Sequence, residues 1–134
     1  MAFEFLLKAI LAILLGGVIG FEREARHRPA GLRTHILVAL GSMLLTVVSI
    51  QFFQNADPSR IAAGIVTGIG FLGAGSIIAA RERIIGITTA ATLWVIAAVG
   101  IAIGASFYTE AIITSILVYV VLEMSSLFGI KTKG

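Results

Sequence analysis

The chain has 134 residues, of which 58% are hydrophobic and only 13% charged, and its mean hydropathy is +1.05. A soluble domain of this size leaves too much of its chain at the surface to hide so much apolar area, so the expected solvent is a lipid bilayer. The formal net charge of +3 does not point to nucleic acid, because the basic residues flank apolar spans and read as topology signals; the absence of cysteine excludes disulfides and thiolate metal sites.

The first apolar run, Ala9–Phe21, is shorter than the ~20 residues a spanning helix needs. The first helix must therefore take in Lys8 or extend into Glu22 and beyond, and its span is placed over 5–24. Glu4 beside Lys8, and the lack of a small-x-small cleavage site, argue against a signal peptide. Lys8 is expected to pair with Glu4 or to reach outward to the membrane surface.

A polar island follows, from Glu22 to His35, with four arginines, two glutamates and both histidines. Glu22 and Arg26, and Glu24 and Arg28, have the acid-first spacing of helical ion pairs. Such pairs are either a solvated extension of the first helix or, for Glu22 nearest the oil, part of the bundle interior. Pro29 and Gly31 break the helix. Arg33, Thr34 and His35 open the second span, 35–53, and a helix start with these side chains suits an anion or an acidic partner group.

Asp57-Pro58-Ser59-Arg60 reads as the capped start of the third span, 61–80. Within it lies Gly68-Ile-Gly70-Phe-Leu-Gly73-Ala-Gly75. This contains G-x-G-x-x-G, but the strand and soluble helix that a dinucleotide site requires are not indicated. Close helix packing through small residues is the expectation, with a helix broken near midplane as the alternative. Gly16 with Gly20, Gly64 with Gly68, and Gly100 with Gly104 share the same packing spacing.

The fourth span, 86–106, opens at Gly86-Ile-Thr-Thr-Ala-Ala91. Thr88 and Thr89 can hydrogen-bond to backbone or to a neighbouring helix. Trp94 lies deep in the span and is expected to pack between helices. The fifth span, 110–128, must include Glu123, about 20 Å from the outer boundary at ~1.5 Å per residue. An acid at that depth is a candidate site, with Arg23, Arg33 or Arg81 as partner.

These readings give an all-α membrane protein, a bundle of five transmembrane helices in a single domain over 1–134. Eight of the ten basic residues fall between spans one and two, between spans three and four, or after span five. By the positive-inside rule these places are cytoplasmic, which puts the N-terminus outside and the C-terminus inside. No nucleophile–base set suggests an enzyme. A hard cation such as Mg2+ could be bound through Glu22, Glu24, Asp57 or Glu123 with backbone carbonyls, and a homodimer could form through the glycine faces.

Several segments, in order, carry a resemblance to a known family: Gly20-Phe-Glu-Arg-Glu24, Ala30-Gly-Leu-Arg-Thr-His35, Ser59-Arg-Ile61, Gly68 to Gly75, Gly86 to Ala91, and Trp94. The chain resembles the membrane domain of the MgtC/SapB (YhiD-like) family. The resemblance implies a multi-pass protein of the bacterial inner membrane, linked to magnesium homeostasis, acid resistance and survival in macrophages. It further implies a regulator of membrane energetics, with the F-type ATP synthase as partner, rather than a dedicated magnesium transporter. Longer members carry a cytoplasmic ACT-like domain after the fifth helix; the present sequence stops at Lys131-Thr-Lys-Gly134, so none is expected here.

Overall fold

A computed structural model of the chain describes residues 2–52, 57–80 and 83–127. Arg81, Lys131 and Lys133, used above for orientation, lie outside the described residues. Five helices follow in order: α1 (Ala2–Ala25), α2 (Leu32–Phe52), α3 (Ser59–Gly75), α4 (Ile87–Gly104) and α5 (Tyr108–Leu127). Among the described residues, α1, α2 and α4 are long and apolar enough to cross a membrane, and α3 is a shorter apolar helix.

Two of the turns are built alike. After α1 the His27 amide donates to Glu24 O at 2.9 Å and the Arg28 amide to Arg23 O at 3.0 Å. This is the Schellman pattern, which needs a left-handed residue at its centre. His27 supplies it with φ 53°, and Pro29 cannot continue the helix. After α4 the Ser106 amide donates to Ile103 O at 3.0 Å and the Phe107 amide to Ala102 O at 2.8 Å, with Ser106 at φ 68°.

The third span departs from expectation. The helix is continuous from Ser59 to Gly75, so it is not broken at its glycines, but it stops five residues short of the predicted 80. The Ser76 hydroxyl donates to Gly73 O at 2.7 Å and the Ile77 amide to Ala74 O at 3.1 Å. The chain then turns into a small antiparallel hairpin, β1 (Ile78–Ala80) and β2 (Arg83–Ile85), with Ile78 opposite Ile85. Successive glycines weaken the helix and the β-branched isoleucines favour extended backbone. Gly86, at φ +101°, closes the hairpin onto α4: a Cβ there would lie 2.0 Å from Ser76 O.

At the centre of the bundle is α2, flanked by α1 and α4. Glycines set both contacts. A Cβ on Gly16 would meet His35 O at 3.0 Å, and one on Gly20 would meet Leu32 Cα at 2.8 Å. On the other side, a Cβ on Gly100 would lie 2.5 Å from Ala39 O, and one on Gly104 would lie 2.6 Å from Thr46 Cβ. In lipid, where apolar association gives helices no advantage, this close approach is what holds them together. Ala12, Ile19, Ala39, Met43, Ile96 and Ile103 fill the seam.

The glycines of α3 behave differently. Gly73 packs against Ala90, but at Gly64, Gly68, Gly70 and Gly75 an added Cβ would meet nothing within 4 Å. Trp94 also departs from its expected place: it is 51% exposed, because the buried stripe of α4 runs through Thr89, Leu93, Ile96 and Gly100 and leaves Trp94 on the outer face. Thr88 is exposed while Thr89 is buried. The outside of the bundle is apolar, with Phe71 83%, Phe21 67% and Leu37 67% exposed, whereas Lys8, Glu22, Arg23 and His35 are buried. Oily residues outward and charges inward are what lipid as solvent requires.

Candidate functional site

Bonds between helix ends decide which charges meet. At one end of the bundle, the Lys8 ammonium donates to Gly104 O at the end of α4 (3.0 Å) and pairs with Glu4 at 3.2 Å. There too the Ser49 hydroxyl donates to Pro58 O at 3.2 Å, joining the end of α2 to the approach of α3. At the opposite end, the last turn of α1 meets the last turns of α5 and the start of α2.

That second end holds a charged node. Glu22 and Arg23 are 5% and 3% exposed. The Arg23 guanidinium grips Glu22 with two nitrogens, Nε on Oε2 and Nη2 on Oε1 at 2.7 Å. Arg26, one helical turn on, places Nε 2.6 Å from Glu22 Oε1 and donates from Nη2 to Glu123 Oε2 at 2.9 Å. The bond to Glu123, followed by the charges of Glu123 and Glu22, holds the Arg26 guanidinium above its ordinary pKa. Two carboxylates and two guanidiniums thus form one neutral chain from α1 to α5. Charges taken out of water persist only when paired and hydrogen-bonded in this way.

Glu24 turns away from the node. Its Oε2 accepts the Leu32 amide at 2.7 Å, so the acid at the start of α2 is the chain's own. This satisfies a free N–H of the helix and its dipole together. The three residues that open α2 diverge: Arg33 is exposed, Thr34 faces the gap between α2 and α3, and His35 is fully buried. His35 Nδ1 lies 2.8 Å from Gly31 O. A carbonyl can only accept, so Nδ1 carries the hydrogen. Nε2 then faces Thr92 Oγ1 at 3.0 Å, a hydroxyl that also lies 2.8 Å from Thr89 O. His35 therefore ties the turn before α2 to α4.

The sequence pattern indicates Glu22, Arg23 and Glu123, and the structure brings these three together. Their link, Arg26, is visible in the sequence only as the helical partner of Glu22. Its bond to Glu123 joins residues 97 positions apart, a separation that no local spacing can signal. The Thr92 contact of His35 and the burial of Lys8 are equally out of reach. Among the described residues no three His, Cys, Asp or Glu side chains converge to hold a metal ion. Gly68, Gly70 and Gly75 lie apart from the node, on the open surface of α3.

Comparison with known proteins agrees with the signature segments. The model of the MgtC family matches residues 9–129. The chain is similar to the Escherichia coli K12 protein named "Putative magnesium transporter YhiD", at 46% identity over 132 residues, covering 92% of this chain and 61% of that protein. It is similar to "Protein MgtC" of Brucella abortus, at 49% identity over 110 residues, 82% of this chain and 46% of the relative. A protein of Haemophilus influenzae is 42% identical over 130 residues, 90% of this chain and 55% of its own length. The chain thus spans about half to three-fifths of the length of these curated relatives. No solved structure matches it.

Proposed function

The chain belongs to the MgtC family, and on that premise we propose that it is a non-enzymatic regulator of the bacterial inner membrane. In this reading all five helices are embedded, the Glu22–Glu123 node faces the cytoplasm and Lys8 lies toward the outside. The protein acts by binding another membrane protein, with the F-type ATP synthase as the candidate partner, and so adjusts membrane energetics under magnesium limitation or acid.

The observation that carries this reading is the neutrality of the node. Both carboxylates of the node, the buried Glu22 and the partly exposed Glu123, are bound by arginine. A hard cation takes about six oxygens, and Mg2+ keeps much of its water; to enter here it would have to displace two guanidiniums. The buried hydroxyls are also engaged locally. The Thr46 hydroxyl donates to Ser42 O at 2.8 Å and the Ser115 hydroxyl to Ala111 O at 2.9 Å. The node therefore serves as a clamp that fixes α1 against α5 and holds the cytoplasmic surface in one shape for a partner.

The alternative is an ion carrier for Mg2+ or protons; the name of the Escherichia coli relative refers to magnesium alone. Purified protein in proteoliposomes separates the two. A carrier moves the ion by itself and loses that flux in Glu123→Gln. A regulator moves none, co-purifies with its partner and lowers ATP synthesis when added to inverted membrane vesicles.

A further inference from the structure

We propose that the groove between α2 and α3 holds an acyl chain of an anionic phospholipid whose phosphate is bound by Arg60. The helices α2 and α3 diverge, leaving a groove of about 790 Å³ that is walled by Leu37 and Leu45 on one side and Ile61, Ile65 and Leu72 on the other. Gly41, Gly64 and Gly68 also line it, and none has any atom within 4 Å of where a Cβ would stand. Missing side chains thus deepen the groove, and a volume of this order is that of a small-molecule site, ~300–1,000 Å³.

Charge selects the occupant. The lining runs from Thr34 to Leu45 on α2 and from Arg60 to Leu72 on α3. At ~1.5 Å per residue each stretch is about 16–18 Å. Arg60 lies beside the end of α2 and Thr34 at its start, so the groove follows the bundle from one end toward the other. Among the described residues the groove has one cation, Arg60, at one end, and the neutral Thr34 at the other. Arg60 is exposed in the first turn of α3, where the helix dipole also favours a negative group. The neighbouring Asp57 carboxylate accepts the Ser59 amide at 2.9 Å. Guanidinium and phosphate are matched in geometry and charge. The site requires only that α2 and α3 lie in the bilayer, and it is independent of any protein partner.

The test is native mass spectrometry of the full chain in detergent, titrated with phosphatidylglycerol or with phosphatidylcholine of the same acyl chains. Wild type retains one phosphatidylglycerol in preference to phosphatidylcholine by about fivefold, the factor one surface arginine contributes to anionic-lipid attraction. Arg60→Gln erases the preference and Arg60→Lys keeps it. Gly68→Leu fills the groove and lowers retention of both lipids, with helical circular dichroism unchanged. A preference that survives Arg60→Gln, or retention that survives Gly68→Leu, overturns the proposal. So does a wild-type species of two chains that Gly68→Leu dissociates, which would put a second helix in the groove.

Discussion

Arg26 and Glu123 close the bundle at its charged end: a guanidinium just past α1 lies 2.9 Å from a carboxylate near the end of α5. Arg26 also holds Glu22, so one side chain couples a half-exposed pair to a buried one. The two halves of the node must then differ in energy. Glu22→Gln leaves the 3%-exposed Arg23 without a counter-charge and should destabilise the protein by roughly 3–5 kcal/mol. Glu123→Gln breaks a pair whose side chains are 32% and 29% exposed, and solvent screening reduces its effect to about 1 kcal/mol. Thermal unfolding in detergent should therefore show a large fall for Glu22→Gln and a small one for Glu123→Gln; equal effects would remove the distinction.

The glycines divide into two classes by what a methyl group would meet. Gly100→Ala forces a Cβ to within 2.5 Å of Ala39 O and should cost about 1–3 kcal/mol, as overpacking does. Gly70→Ala meets nothing within 4 Å and should be neutral or stabilise by up to ~1 kcal/mol through helix propensity. Paired unfolding measurements on the two variants check this, and a destabilising Gly70→Ala would show that α3 has a close neighbour.

His27 stands in the left-handed region at φ 53°, where glycine has no steric penalty. His27→Gly should stabilise the turn by about 1 kcal/mol, the cost of that region for a side chain. The measurement is the unfolding midpoint, together with slower amide exchange at Arg28, whose N–H donates to Arg23 O.

Asp57 gives a pH prediction. Hydrogen bonds from Ser59, and to a lesser extent the charge of Arg60, lower its pKa below the ordinary aspartate value. A carboxyl depressed in the folded state contributes stability above its unfolded pKa and loses it as pH falls through the folded one. Its titration, followed by NMR in micelles, should lie below that of a free aspartate, and Ser59→Ala should move it back up. An unshifted Asp57 in the wild type would mean that its hydrogen bond with Ser59 before α3 is absent.

Much of this architecture is legible in the sequence because lipid leaves few options. Apolar runs of spanning length mark the helices, and Gly16, Gly20, Gly100 and Gly104 mark two helix seams by their spacing alone. Within the chain the same spacing at Gly64 and Gly68 meets no neighbour within 4 Å, since a small residue permits close approach without requiring it. Hydropathy extends span three too far because Ile77 and Ile78 are as apolar in a hairpin as in a helix. Glu22 and Glu123 stand out as acids at membrane depth. Their junction through Arg26 does not, because it depends on how α5 returns to α1. Depth along the helix suggests an inward Trp94, yet depth does not fix which face of a helix a residue occupies.

The neutral node is the basis for reading this protein as a regulator rather than a carrier, and ion flux tests it most directly. Purified protein reconstituted in liposomes, with Mg2+ and H+ indicators inside and a gradient imposed, should give no flux above empty vesicles. Wild-type flux of either ion, abolished by Glu123→Gln in protein that still folds, would contradict the account.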